Sequence, residues 1–400
     1  MNTDPTKNFQ TQIRKTINSS KTLIPQEANW KYFNMKPTIK GLIKIHKPNL
    51  SIRAFVNWRN APAYRLAKLF TQKIRQLAPL PNTYNVENIG ELLGKLKNTP
   101  ILPHFKLASL DITNLYKNIP VMETRDILSN MLERNSLDSQ TKQESIKWND
   151  TITNQNYFTH NGKTLIQNDG LAMGAPSSGL ISEIFLQPLE NQHLTHLSNK
   201  HKIVSYLRYV DDTLVIFDSN HTIIQTILAD FNAIHPRLKF TAEIETDKKI
   251  NFLDVTIHRT TTDWRTSINV NTTYTDTIIP YTSCHPTQHK YTAVRFLYKR
   301  LNTYNLFKED YEKEESLHHN IMHNSFPIHP RKPPTRKTRK HLDTTQAPPQ
   351  KWTTFTYIGK ETTFITNIFK RTNLKIDFRT NNTIGERLMH KQQITDSYTR

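Results

Sequence analysis

Several things are scarce in this 400-residue chain, beginning with negative charge: 34 Asp and Glu face 54 Lys and Arg, which leaves +20 with His neutral and a pI near 9.8. A surplus of that size calls for an acidic partner, with nucleic acid first. Cysteine occurs once, as Cys284, which excludes an internal disulfide framework, a multi-thiolate zinc site and an iron–sulfur cluster, and fits a reducing compartment. No apolar run approaches the roughly 18 residues of a membrane span, and the opening MNTDPTKNFQTQIRK lacks the apolar core of a secretory signal. The expectation is an intracellular protein without a membrane partner. Glycine is rare, yet three of the nine, Gly170, Gly174 and Gly179, fall within ten residues. A chain that otherwise avoids glycine needs close backbone approach there, so this cluster is the first candidate for substrate contact.

What is present suffices for several packed subdomains, since 36% of the residues are hydrophobic. Residues 1–30 are polar without sustained periodicity and read as a poorly ordered arm or an accessory segment. Next come β-like pieces, Ile39 to Ile45 and Ile52 to Trp58, and a helical stretch, Pro62 to Leu77, whose Leu66, Leu69, Phe70 and Ile74 share a face. A strand-like run from Phe105 to Ile112 precedes a helix expected from Met122 to Glu133. The tract YFTHNGKTLIQ suits a hairpin turning at Asn161-Gly162, where both residues tolerate positive φ. After the glycine cluster, SSGLISEIFLQPLENQHL reads as an amphipathic helix with Ser177 and Ser178 available near its start. IVSYLRYVDDTLVIF reads as two strands turning at Val210-Asp211, followed by a helix from Ile223 to Ile234 and a strand pair around NFLDVTI. That is the β-α-β-β-α-β order of a ferredoxin-like unit. Residues 281–330 look mainly helical, RKPPTRKTRK at 331–340 reads as an unfolded basic linker, and patterning resumes over 351–390.

The chemistry-bearing residues are Asp111 and the pair Asp211-Asp212, each at the end of a strongly apolar β run. A lone Asp at a strand end is commonly a turn former, but two in one hairpin repel each other unless a cation neutralises them. In the β-α-β-β order the first strand and the hairpin lie in one sheet, bringing Asp111 within metal-sharing distance of Asp211. Carboxylates and water suit Mg²⁺, and two such ions about 3.5–4 Å apart serve an attacking 3′-hydroxyl and a leaving pyrophosphate. In KGLIKIHK, Lys44 and Lys47 alternate with apolar residues and Arg53 follows, so a hairpin could aim them at a triphosphate; a solvated basic edge is the competing reading. Lys248 or Lys249 could protonate pyrophosphate. Cys284, His285, His289, His319 and His323 offer too few thiolates for a structural zinc site.

LASLDITNLYKNIPV, GLAMGAPSSGLISEIFL and YLRYVDDTLVIF resemble, in order, motifs A, B and C of reverse transcriptases. KGLIKIHKPNLSIRAFV, NFLDVTIHR, YTSCHP and TYIGKETTFITNIFKR narrow the resemblance to Penelope-like element reverse transcriptases, similar in turn to telomerase reverse transcriptases, over residues 31–390. The resemblance implies an α+β right-hand polymerase: an arm at 1–30, fingers at 31–105, a ferredoxin-like palm at 106–260, a helical thumb at 261–330, a basic linker at 331–350 and a connector at 351–400. It implies Asp111 and Asp211 as carboxylates bridging two Mg²⁺, with the Ile112 carbonyl as a further ligand and Asp212 as the third carboxylate. Tyr116 becomes an aromatic gate against a ribose 2′-hydroxyl, although an amphipathic aromatic packed below the sheet fits the same spacing. Lys44, Arg53, Met173 and Gly174 would bind the nucleotide, and Gly170, Tyr209 and His285 the template or primer.

The implied activity is extension of a DNA 3′-end on an RNA template with dNTPs, in the nucleus, with a separate endonuclease as a further partner. Ala175-Pro176-Ser177-Ser178-Gly179 replaces the family's Ser-Pro-Leu-Ser-Pro, and Arg53-Ala54-Phe55 its Arg-Pro-Ile; neither change removes a carboxylate. Tyr357-Ile358-Gly359 has no preceding Gly-Ile-Tyr, so the expectation is a member without the C-terminal GIY-YIG nuclease. An RNA-dependent RNA polymerase is disfavoured by Tyr209-Val-Asp-Asp and by Tyr116, and a decayed nucleic-acid-binding relic by the intact aspartates.

Overall fold

The computed structural model describes residues 4–24, 37–43, 52–59, 61–160, 163–269, 278–304, 323–327 and 351–380. Two compact units divide the chain, Met1–Thr273 and Tyr274–Arg400.

The first unit opens with α1 (Thr6–Ser19), within the segment read as a poorly ordered arm or an accessory segment. Phe9, Ile13 and Ile17 recur every fourth residue, form one stripe and are buried. β1 (Thr38–Ile43) and β2 (Ile52–Asn57) pair antiparallel, and α2 (Tyr64–Leu77) buries Leu66, Ala67, Phe70 and Ile74. α3 (Ile89–Lys97) precedes β3 (Phe105–Ile112), and then come α4 (Leu115–Asn118), α5 (Val121–Arg134) and α6 (Ser139–Thr153). β4 (Tyr157–His160) and β5 (Lys163–Ile166) join the first hairpin in a sheet ordered β2-β1-β4-β5. The expected turn residues Asn161-Gly162 lie outside the described residues.

α7 (Ser178–His201) feeds β6 (Ile203–Tyr209) and β7 (Asp212–Asp218); α8 (Ile224–Ala233) then leads to β8 (Phe240–Ile244). The sheet order β6-β7-β3-β8 is the ferredoxin-like arrangement of a right-hand polymerase palm. Its closing strand is β8, not the pair around NFLDVTI. That tract forms β9 (Lys249–Phe252) and β10 (Val255–Arg259), which with β11 (Trp264–Ile268) make a separate sheet. The first unit runs to Thr273. Central strands β3 and β7 contribute Leu107, Ala108, Leu110, Leu214, Val215, Ile216 and Phe217 to the interior, which explains their near-continuous apolar runs.

The second unit contains α9 (Thr287–Thr303), whose Val294, Tyr298 and Leu301 pack with Phe326. β12 (Lys351–Thr356), α10 (Lys360–Asn367) and β13 (Leu374–Arg379) form a β-α-β module with parallel strands. The expected linker 331–340 lies outside the described residues. Among the described residues no helix is long and apolar enough to cross a membrane.

Glu144 shows why the N-terminal segment folds. Its carboxylate, on α6, accepts from the backbone N–H groups of Lys21 (2.6 Å), Thr22 (3.1 Å) and Leu23 (3.1 Å) and from the Thr22 hydroxyl (2.8 Å). Burial alone would raise its pKa, but these donors outweigh it and hold the group below the ordinary 4.5. Glu144→Ala should cost about 1–3 kcal/mol in urea denaturation at neutral pH, because it orphans buried donors. A depressed carboxylate pKa stabilises the fold above the unfolded value and loses that effect as pH falls through the folded one. The gap between wild type and variant should therefore narrow in acid.

Candidate active site

The end of β3 and the β6–β7 hairpin meet in one register. β3 pairs antiparallel with β7 from Phe105↔Asp218 to Asp111↔Asp212, so the side chains of Asp111 and Asp212 leave the sheet on the same face from adjoining strands. Asp211 stands one position earlier, in the two-residue turn, and its carbonyl accepts from Ile112 N–H at 3.0 Å. All three aspartates are half-buried, whereas the Ile112 side chain is in the core and leaves only its backbone for any role in the site. Val210, the first turn residue, has φ +57°, a conformation that costs a β-branched residue about 1–2 kcal/mol. Something must hold it there.

Arg208 does so. Its side chain is fully buried, and all five of its N–H donors are used. Nε donates to Glu190 Oε1 (2.6 Å), and Nη2 to Glu190 Oε2 and Glu183 Oε2 (both 2.9 Å). Nη1 donates to Glu183 Oε1 (2.8 Å) and to the Val210 carbonyl (2.9 Å). Burial would pull the guanidinium pKa down, but the two carboxylates outweigh it and keep the group charged; Glu183 is held below its ordinary value by the same contact against its own burial. Asn85 and Gln187 also donate to Glu183, and Tyr206 donates to Glu190. The Arg208 backbone exchanges hydrogen bonds with Tyr84 and Val86, which cover this edge of the sheet. The sequence signals for this network were an Arg inside an apolar strand and two Glu residues seven apart, two turns along one helix face.

The glycine cluster divides by role. Gly170 has φ +77°, is buried, and a Cβ there would lie 2.3 Å from the Lys117 carbonyl. Its close approach is to the chain's own backbone. Leu171 N–H donates to the Tyr116 carbonyl and Val56 N–H to the Met173 carbonyl (3.0 Å), so this loop ties α4 to β2. Met173 is half-buried, and Gly174, at φ +122°, is exposed. The Tyr116 phenol is half-buried against the core; burial first, then the negative charge of Asp211 and Glu183, raises its pKa above 10. It packs on the core while sitting in the field of Asp211.

Of the other expected site residues, Tyr209 ends β6 opposite Asp212. Arg53 lies on β2 opposite Leu42, and Lys44 and Lys47 are outside the described residues. Lys248 and Lys249 follow β8 beyond Ile244, which pairs with Ala108; that end of the sheet points away from Asp111, so they are not positioned to serve it. His285, exposed in the second unit with Nδ1 3.2 Å from Ser283 Oγ, belongs to a unit described separately. Among the described residues no three His, Cys, Asp or Glu side chains form a metal cage of their own. Carboxylates on adjoining strands still suit a hard divalent cation that fills its remaining positions with water and phosphate oxygens.

Arg208→Ala would leave the buried Glu190 and the half-buried Glu183 without their cation, with an expected cost of about 3–5 kcal/mol in urea denaturation. Arg208→Lys should recover little, because an ammonium cannot reproduce the planar five-donor fork.

The chain has likenesses among known proteins. The solved structures it resembles include telomerase from Candida albicans in complex with a fragment of telomeric RNA (TM-score 0.49, 11% identity, covering 80% of this chain and 59% of that one). Apo telomerase from Candida tropicalis (0.47, 11%, 78% and 62%) and the BmCPV RNA-dependent RNA polymerase at its elongation state (0.42, 12%, 72% and 26%) are others. The chain thus spans about three-fifths of the length of these telomerase chains. No curated protein matches it in sequence. The family described as "Reverse transcriptase (RNA-dependent DNA polymerase)" matches residues 46–294, a span that holds β3, the glycine loop and the β6–β7 hairpin. With more than half of its length inside that match, the chain belongs to the reverse transcriptase family.

Proposed function

We propose that this protein is an RNA-directed DNA polymerase of a Penelope-like retroelement, extending a DNA 3′-end on an RNA template with dNTPs in the nucleus. The observation that carries the reading is the register setting Asp111 opposite Asp212 beside a turn that Arg208 braces, within the family match. The Penelope-like assignment draws on the tracts KGLIKIHKPN, NFLDVTIHR, YTSCHP and TYIGKETTFITNIFKR. A separate endonuclease is the expected source of the 3′-end.

In this reading Asp111, Asp211 and the Ile112 carbonyl would hold two Mg²⁺ ions, with Asp212 in support. When bound, those ions would acidify the primer 3′-hydroxyl and offset charge on the leaving pyrophosphate. Asp111 and Asp211 would be kept in fixed relation by the Ile112–Asp211 backbone hydrogen bond, so little reorganisation is needed on substrate arrival. Tyr116, anchored through its backbone to the glycine loop, would crowd a ribose 2′-hydroxyl and favour dNTPs. Met173 and Gly174 would border the nucleotide, with Lys44 and Arg53 on its phosphates.

Primer extension on an annealed RNA template and DNA primer with Mg²⁺ tests this. Asp211→Asn should lower extension at least about a hundredfold while template–primer affinity stays within about twofold, because one metal-binding charge is lost. Absence of extension by the wild type with either dNTPs or rNTPs would sink the polymerase reading. Tyr116→Ala should raise rNTP use relative to dNTP by about tenfold or more, since discrimination by shape is lost. A wild type that prefers rNTPs would overturn the gate.

A further inference from the structure

We infer that the β12–α10–β13 module is a binding site for single-stranded RNA. It lies beyond the 46–294 family match, so the inference does not rest on the polymerase reading. A groove of about 920 Å³ runs between this module and α9 within the second unit. That volume suits a few nucleotides and far exceeds the needs of an ion.

The lining combines aromatic faces with cations. Trp352, Phe369 and Phe378 border the groove together with Arg295, Lys370 and Lys375. Trp352 is 67% exposed, which is unusual for the largest side chain in a small module and leaves its ring outside any core. Trp352 and Lys375 are register partners on the parallel strands, and the ammonium sits 5.4 Å from the ring centroid. The two groups are therefore held together before any ligand arrives, one suited to a base and the other to a phosphate.

Charge complementarity selects the occupant. Residues 351–380 carry six Lys or Arg against Glu361 and Asp377, so the module is basic in its own right. An unpaired base exposes the face that an aromatic ring can stack on, whereas duplex bases are already stacked, which favours a single strand. Asp377, the one carboxylate among the described lining residues, would repel a phosphate but accept from a ribose 2′-hydroxyl. Asn367 and Asn373 add amide groups of the same use. A 2′-hydroxyl that donates as well as accepts is what separates RNA from DNA, and the lining offers an acceptor for it.

The test uses the full chain, presaturated with an unlabelled RNA–DNA hairpin so that the polymerase cleft is occupied. Binding of a fluorescent ten-nucleotide RNA, and of DNA with the same sequence, is followed by anisotropy over a salt series. The expected result is tighter binding of RNA, a loss of fivefold or more with Trp352→Ala, roughly the worth of one stacked base. Lys375→Ala should shrink the salt dependence by about one phosphate contact. Both positions lie outside the catalytic machinery, so extension of a preannealed primer in the same preparations should be unchanged, and the urea midpoint should confirm folding. Unaltered RNA affinity in both variants, equal or tighter binding of the DNA strand, or binding of polyglutamate in place of RNA would each overturn the proposal. Failure of primer extension with RNA binding intact would count against the polymerase reading alone.

Discussion

One buried guanidinium and two carboxylates hold together the end of the palm that carries the aspartates. Arg208 joins Glu183 and Glu190 of α7 to the turn that carries Asp211, while its backbone bonds to the segment around Asn85. A buried ion cluster of this kind adds little net stability over a well-packed apolar core, because desolvation offsets much of the attraction. Its value is directional. Five donors in a rigid plane permit one arrangement of the helix, the strand and the turn, and that arrangement keeps Val210 in a left-handed conformation a β-branched residue otherwise avoids.

The glycine loop depends on the same logic of close contact. Gly170 lets the loop lie against the Lys117 carbonyl, and hydrogen bonds from Leu171 to Tyr116 and from Val56 to Met173 then connect the one-turn helix after β3 with the β1–β2 hairpin. Tyr116 is consequently positioned from two directions, by the short helix beneath it and by the loop beside it. Its phenol remains neutral to higher pH than an exposed tyrosine, first because it is partly removed from water and then because Asp211 and Glu183 add negative charge nearby.

Outside the palm, α1 shows how a weakly patterned segment folds through tertiary contacts. Three apolar residues at four-residue spacing are a thin stripe, and the helix's conformational entropy is offset only once that stripe meets α6 and Glu144 collects the N–H groups that follow it. Apolar periodicity alone therefore understated this segment.

Local chemistry determined much by itself. One apolar face marked α2, and apolar runs marked the β6–β7 hairpin, close to their observed bounds, whereas α7 begins where expected but runs on from Leu194 to His201. The order of Asp111, the glycine loop and Tyr209-Val-Asp-Asp identified the family before any contact was known. Tertiary structure alone decided which strand completes the palm, because β8 competes with the NFLDVTI hairpin for the edge of β3 and no local pattern ranks two amphipathic strands. It also decided that Gly170 serves the chain's own backbone, and that Arg208, Glu183 and Glu190 meet. Those outcomes depend on distances between residues far apart in the chain, which propensity does not encode.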